Sequence, residues 1–476
     1  MNRDHSILFD ALAVDLAHEL PSGQVPTPEQ ALLCLRDHGR LALLHSAGGE
    51  PCRFSLLGFD PVVSFDGAPD VDSPQPTTFE ELESQLQRLR TISEPPGPFQ
   101  GGFLGAISYD FGAANLDLAL PKNLAPDPFG QPQLVGGLFT DFVVWDHREK
   151  TCHLVINRAR DDCKARRVRL MEALSQEGVG ARRFDVSGEF SRAVSPSEHV
   201  RRVEAVRAAI RRGDLYQANL AHRIHGQVEG EAVDVYAALV EANHAPYMGF
   251  VGWPGGALMS ASPELLLELE HNGHGELVAT TRPIKGTIRR GANHGEDLAL
   301  VAELMGSAKD RAELAMIVDL ERNDLGRVAR VGSVEVGEFP RLETFASVHH
   351  LVADVRATLK DDVNAFELLA SIFPGGSITG APKLASMELI ATLEGEQRGF
   401  FCGSLGFVDT RGEACFNILI RTLLWSETVA GEVPVAAVSL RVGGGITWAS
   451  EARDEDQETL HKAKSLLAAL GVTGLG

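Results

Sequence analysis

Apolar positions recur at helical spacing between residues 195 and 213: Val200, Val203, Val206 and Ile210 make one stripe. Ser195-Pro196-Ser197-Glu198 precedes the stripe. Ser195 is placed to cap, Pro196 suits the first turn, Glu198 is placed to complete a capping box, and Gly213 stops the helix. Similar periodicity predicts helices over Ala31 to Arg36, Phe79 to Leu89, Asp161 to Glu177, Glu296 to Ser307, Arg311 to Leu320, Ala365 to Ile372, Pro382 to Leu393 and Asp454 to Leu470. Short apolar runs predict strands at Leu41 to Ser46 and Arg53 to Gly58, joined by a Gly-Gly turn, and at Phe103 to Tyr109. Leu134 to Asp146 and Cys152 to Asn157 read as a hairpin. Further strands are expected at Tyr216 to Ile224, Tyr247 to Trp253, Leu265 to Glu270, Leu277 to Thr281, Ser333 to Phe339, Gly403 to Asp409, Cys415 to Leu424 and Val435 to Val442. Asp66 to Pro76 and Pro95 to Gly102 are breaks rich in loop residues. Gly178 to Ser195 is polar and without a clear period. It divides an N-terminal α/β subdomain (1–190) from a C-terminal domain (191–476). Strands and helices do not alternate strictly, which argues against a doubly wound sheet. The pattern gives a mixed α/β (α+β) chain.

Length and charge narrow the options. At ~100–200 residues per domain, 476 residues suffice for two to four domains. The net charge, 44 − 65 = −21, argues against nucleic acid or an acidic membrane surface as partner. An anionic substrate would therefore need a local basic pocket. The six cysteines form no C-x-x-C pair, so a zinc site is not expected. The N-terminus lacks a signal-peptide pattern, and no apolar run approaches the ~20 residues that span a bilayer. A reduced cytoplasmic protein is the simplest expectation.

Candidate chemistry centres on Arg282-Pro283-Ile284-Lys285-Gly286-Thr287, which follows a strand-like run and precedes a basic turn, Ile288-Arg289-Arg290-Gly291. An amine in apolar surroundings has a lowered pKa and becomes nucleophilic. Gly286 allows close approach of a ligand to the backbone. Two expected helices carry carboxylates three apart, Asp310 with Glu313 and Glu455 with Glu458. Carboxylates from two helices facing one cavity would suit Mg²⁺; solvated faces are the alternative. Phe373 to Lys383 and Val442 to Ile446 are glycine-rich. The first offers a helix N-terminus to an anion, the second a backbone nest to a carboxylate. Arg421, in an apolar run, needs either a carboxylate ligand or a protein acid. His349-His350 places one imidazole inward, and Glu264 opens a strand where a carboxylate can act as a base.

In order along the chain, these pieces resemble the chorismate-utilising enzymes. The matching segments are Gly213 to Leu220, Ser260 to Glu264, Pro283 to Thr287, Lys309 to Gly326, Ser347 to Leu351, Thr379 to Lys383, Ile420 to Thr422 and Gly443 to Lys462. Leu43 to Ser46 and Arg53 to Ser55 match more weakly. The resemblance implies two β-sheets packed as a sandwich core with helices outside, and an active site in the C-terminal half. It also implies Mg²⁺ held by Glu313 and Glu458, with Glu455 and Asp310 beside them. Arg421 and the Gly443, Gly444 and Gly445 backbone would hold the enolpyruvyl carboxylate of chorismate. Gly286, Thr287 and Phe401 would contact substrate, and His350 would lie near the leaving hydroxyl. Ser46 falls in the segment that forms a tryptophan pocket in relatives.

Within the family, Pro-Ile-Lys-Gly-Thr resembles the aminodeoxychorismate branch, which serves p-aminobenzoate and folate synthesis. Anthranilate synthases resemble Pro-Ile-Ala-Gly-Thr. Phe401, where anthranilate synthases commonly carry tyrosine, points the same way. The expected reaction is amination of chorismate through a Lys285 nucleophile assisted by Glu264. No cysteine has the G-x-C-x-G context of a glutaminase, so ammonia is expected from a separate glutamine amidotransferase subunit. The alternatives are an anthranilate synthase component and a non-catalytic chorismate- or tryptophan-binding regulatory subunit.

Overall fold

The computed structural model describes residues 6–475 apart from 39, 48–52, 67–74, 117, 122, 177, 346–347 and 429–434. The expected Gly-Gly turn, Cys52, most of the 66–76 loop and Ser347 lie outside the described residues. Two large sheets form the centre. One has 13 strands and runs from the Asp185–Arg192 strand to the Leu89–Ser93 strand; the other has 9, and a third sheet of 3 strands stands beside them.

A core cluster drawn from both large sheets fills the space between them. Phe9, Leu56, Phe142 and Leu258 come from the larger sheet, and Leu104, Val135, Leu405 and Phe407 from the smaller. A second cluster packs the Pro28–Cys34, Ala232–Ala242 and Ala452–Ala469 helices on the outer face of the larger sheet. A third packs the Phe79–Leu86, Ala308–Gly326 and Ala365–Ile372 helices on the other outer face. The expected sandwich with outer helices is the architecture observed. Both large sheets mix strands from either side of residue 190.

Several expected elements differ, each for a physical reason. Leu134 to Asp146 is two strands. Leu134–Phe139 joins the smaller sheet and Phe142–Asp146 the larger. The chain crosses at Thr140-Asp141, where buried Asp141 pairs with Arg160 at 2.9 Å and Arg166 at 3.2 Å. Cys415 to Leu424 divides likewise into Ala414–Asn417 and Thr422–Thr428, one in each sheet. Residues in both runs are buried on both faces, so hydrophobic periodicity carries no trace of the crossing. Gly178 to Ser195 contains the Asp185–Arg192 edge strand, in which only Phe190 is buried. Ser195 caps its helix by accepting from the Glu198 N–H, but the Glu198 carboxylate turns to Arg201 and Arg202 and leaves the capping box half made.

Candidate active site

The Leu277–Arg282 strand belongs to the smaller large sheet. After Pro283 the chain continues as the Ile284–Arg289 strand of the three-stranded sheet, beside Val348–Val352. Lys285 therefore lies on a strand rather than at the head of a turn. Lys285 faces Leu351 and Thr287 faces His350, so Gly286 is the extra residue of a bulge, with φ +79°. That left-handed conformation favours glycine. A Cβ on Gly286 would also lie 2.9 Å from Asp310 Cβ. Here the glycine admits the protein's own helix close to the backbone, and Gly286 also lines the cleft described next.

Lys285 opens into a cleft of about 690 Å³. Glu264, Gly286, Thr287, Glu313, His350, Phe401, Arg421, Gly443, Gly445, Glu455 and Glu458 also line it, as does Asp310. Gly444 stands at its wall: a Cβ there would lie 3.2 Å from Glu455 Oε2 and 3.8 Å from Glu458 Oε1. Thus the two expected helices do face one cavity with their carboxylates. Lysines one turn away stand beside them, Lys309 one turn before Glu313 (3.8 Å) and Lys462 one turn after Glu458 (2.7 Å). Oxygen donors of this kind suit a hard divalent cation.

The crossing between the large sheets builds the opposite wall. Ser262 Oγ donates to the Ile418 carbonyl at 2.6 Å, and the Ile418 N–H donates to the Glu264 carbonyl at 3.0 Å. These bonds pin residues 418–421 against Glu264. Arg421, with φ +50°, is not inside a strand, and its carbonyl accepts from the Ala261 N–H. Among the described residues no carboxylate lies within ion-pair distance of its guanidinium, and the residue lines the cleft. Burial lowers its pKa, against the charge of Glu264.

Burial moves the two central titrating groups toward their neutral forms. It lowers the Lys285 pKa against the attraction of Glu264 and Glu313, and it raises that of Glu264. Glu264 Oε1 is buried without a hydrogen-bond partner among the described residues, as is the nearby Ser377 Oγ. Burial and the Arg421 charge push His350 down to about 4, so its imidazole is neutral at pH 7. His350 Nδ1 lies 2.8 Å from Thr287 Oγ1. His349 points elsewhere, to Thr344 and to Asp297 at 3.0 Å. Burial and neighbouring carboxylates raise Glu313 and Glu455, whereas Lys462 overcomes burial at Glu458 and holds it low.

Two anion sites expected from glycine content differ. Gly443 to Gly445 form no nest: they belong to the extended Val435–Ile446 strand, paired with Ala221, Leu220 and Asn219. The helix after Thr379 begins at Lys383 with Pro382 as its cap, and Lys383 reaches back to Asp324 at 2.6 Å. Ser377 and Ile378, not that helix terminus, line the cleft. Ser46 lies outside the cleft, its hydroxyl donating to the Phe54 carbonyl. Sequence reasoning missed Asn219, Ser377, Arg441, His461 and Lys462 as lining residues. The i,i+4 spacing of Glu458 and Lys462 was the one readable signal among them.

The chain matches the model of the chorismate binding enzyme family over residues 40–468. Aminodeoxychorismate synthase component 1 of Bacillus subtilis is 34% identical over 445 residues, 90% of this chain and 91% of that protein. Anthranilate synthase component 1 of Streptomyces coelicolor is 36% identical over 470 residues, 94% and 86% of the two chains. The crystal structure of anthranilate synthase component I from Streptococcus pneumoniae superposes with a TM-score of 0.73 at 28% identity, covering 88% of this chain and 93% of that one. This chain belongs to the chorismate binding enzyme family. Among the described residues no helix is long and apolar enough to cross a membrane.

Proposed function

We propose that the chain aminates chorismate at C4 and leaves the enolpyruvyl ether intact, the reaction of aminodeoxychorismate synthase component 1. The observation that carries this reading is Lys285, an amine driven toward neutrality in the same cleft as a carboxyl driven toward protonation. The Lys285 nitrogen attacks C2 of the ring. The conjugated double bonds shift, the C4–O bond breaks, and Glu264 gives the departing hydroxyl its proton so that water leaves. Ammonia then attacks C4, the double bonds shift back, and the C2–N bond breaks to return the pair to Lys285. Glu264 takes the proton that the new amine sheds. Arg421, free of a protein acid, binds the enolpyruvyl carboxylate.

Glu313 and Glu458, with Glu455 and Asp310 beside them, would hold Mg²⁺, and the room left by Gly444 fits that use. When bound, the ion would anchor the ring carboxylate and offset its charge. A separate glutamine amidotransferase in the cytoplasm would supply ammonia, and the product would serve p-aminobenzoate and folate synthesis.

The test is a product assay with purified chain, chorismate, Mg²⁺ and an ammonium salt, followed by mass spectrometry and pyruvate release. An amino product without pyruvate supports the proposal. Anthranilate with pyruvate would move the chain to the other branch, to which the Streptomyces relative belongs by name.

A further inference from the structure

Glu455 and Glu458 share the last helix with Asp456 and Thr459, which face away from the cleft into a buried polar knot. Arg192 grips the Asp456 carboxylate with both ends of its fork, at 2.5 Å and 3.2 Å. His199 Nδ1 lies 3.0 Å from Asp456 Oδ1, and His222 Nε2 lies 2.8 Å from Thr459 Oγ1. The two imidazoles meet edge to face at 4.9 Å. Asp456, His199, His222 and Thr459 are each under 5% exposed. The three gripping residues come from three elements: the Asp185–Arg192 strand, the Pro196–Arg212 helix and the Gln217–Glu229 strand.

The donor atoms of His199, His222 and Asp456 lie within 4.8 Å of one another, close enough for a metal ion. Arg192 already fills that place, with Nη2 3.3 Å from His222 Nε2 as well as on Asp456. The knot carries its own cation. We infer that it is a positioning device: Arg192, His199 and His222 fix the rotation of the last helix through Asp456 and Thr459, and so set where Glu455 and Glu458 stand in the cleft.

The geometry makes the device matter. Residues 455 to 459 span little more than one turn, so the grip acts at the level of the two carboxylates. With side chains about 5–6 Å from a helix axis, a rotation of about 10° carries a carboxylate about 1 Å. Mg²⁺ demands near-ideal octahedral geometry at about 2.0–2.1 Å, so that displacement takes an oxygen out of reach. The inference rests on the proposed metal role of Glu458 and Glu455.

The experiment is Mn²⁺ binding to the full chain, read as loss of the free-ion electron paramagnetic resonance signal and independent of turnover. Asp456→Asn keeps the shape and loses the charge; Arg192→Lys keeps a charge and loses the fork. Both are expected to weaken Mn²⁺ binding by about 10–100-fold, the range for partners that orient metal ligands. Arg166→Met, which removes a buried ion pair with Asp141 at the other end of the larger sheet, controls for lost stability alone. It is expected to lower Tm and leave Mn²⁺ affinity unchanged. Wild-type affinity in both knot variants, or equal weakening in Arg166→Met, overturns the inference. A wild type that takes up no Mn²⁺ overturns the metal reading itself, and the inference with it.

Discussion

Glu321→Gln should stabilise the protein at alkaline pH and do progressively less as the pH falls. Glu321 lies two turns beyond Glu313 on the same helix and accepts a hydrogen bond from Thr281 Oγ1 at 2.6 Å. Burial, with the charges of Glu264 and Asp324 adding to it, pushes its pKa from 4.5 up to about 8. Between those values the folded chain holds a proton that the unfolded chain has lost, so stability falls as pH rises through that window. A gap of about 3.5 pH units at ~1.36 kcal/mol each sets a ceiling near 5 kcal/mol. Partial solvent access cuts this to about 2 kcal/mol. Glutamine keeps an acceptor for Thr281 and cannot ionise. At ~2.1 cal/mol/K per residue the melting entropy of 476 residues is about 1 kcal/mol/K, so 2 kcal/mol corresponds to about 2 °C. Melting wild type and variant in parallel from pH 5 to pH 9 should show the Tm difference opening by that amount toward high pH. A difference that stays flat, or narrows above pH 7, would refute the reasoning.

Other consequences are as direct. Lys285→Ala should fold and yet lose C4 amination by at least ~100-fold, the low end for a positioned catalytic group; full activity in the product assay would sink the nucleophile. Intact-protein mass spectra under turnover should catch a chorismate-derived adduct in wild type and none in the variant. Gly286→Ala forces a side chain into a left-handed conformation, at ~1–2 kcal/mol, and against Asp310 Cβ at 2.9 Å. It should lower Tm by a degree or two and depress activity, and an unchanged protein on both counts would contradict the bulge. Gly444→Ala sets a methyl 3.2 Å from Glu455 Oε2. It should raise the Mg²⁺ concentration for half-maximal activity by ~10-fold or more, with kcat recovered at saturating Mg²⁺.

Sequence carried the site further than it carried the fold. Glu264, Lys285, Glu313, His350, Arg421 and Glu458 are spread over nearly two hundred positions, yet all line one cleft. They were readable because their segments, taken in order, resemble the chorismate-utilising enzymes; taken singly, a lysine before glycine, an arginine in an apolar run and carboxylates three apart were candidates with ordinary alternatives. The crossings at Thr140-Asp141 and at residues 418–421 left no such mark, because a strand buried on both faces reads the same whichever sheet it joins. The knot around Asp456 was equally hidden. Its members come from residues 192, 199, 222 and 456, and each alone is an ordinary polar residue. Gly443 to Gly445 misled for a related reason. A glycine run signals a close approach but not the backbone conformation that makes it, and here an extended strand spares room for the neighbouring carboxylates.

Charge balance in the cleft ties these residues to one substrate class. Glu264, Asp310, Glu313, Glu455 and Glu458 face Lys285, Lys309, Arg421, Arg441 and Lys462, so its five acids and five bases cancel within a chain of net charge −21. Burial shifts Lys285 and Glu264 each toward its neutral form, one base and one acid, so the shifts do not tip the balance either way. Chorismate brings two carboxylates, and burying two uncompensated negative charges in such a pocket is costly. Arg421 is the guanidinium there without a protein acid, while Arg441 is committed to Glu396 at 2.8 Å. In the proposed pose Arg421 would meet one ligand carboxylate, and the other would face the carboxylates of two helices. Binding there is favourable only if positive charge arrives with the ligand. A divalent cation entering with a dianion adds no net charge, which supports the proposed Mg²⁺ role and predicts that chorismate and the metal bind with mutually increased affinity. Titration calorimetry with each ligand in the presence and absence of the other measures that coupling, and independent affinities would break the argument.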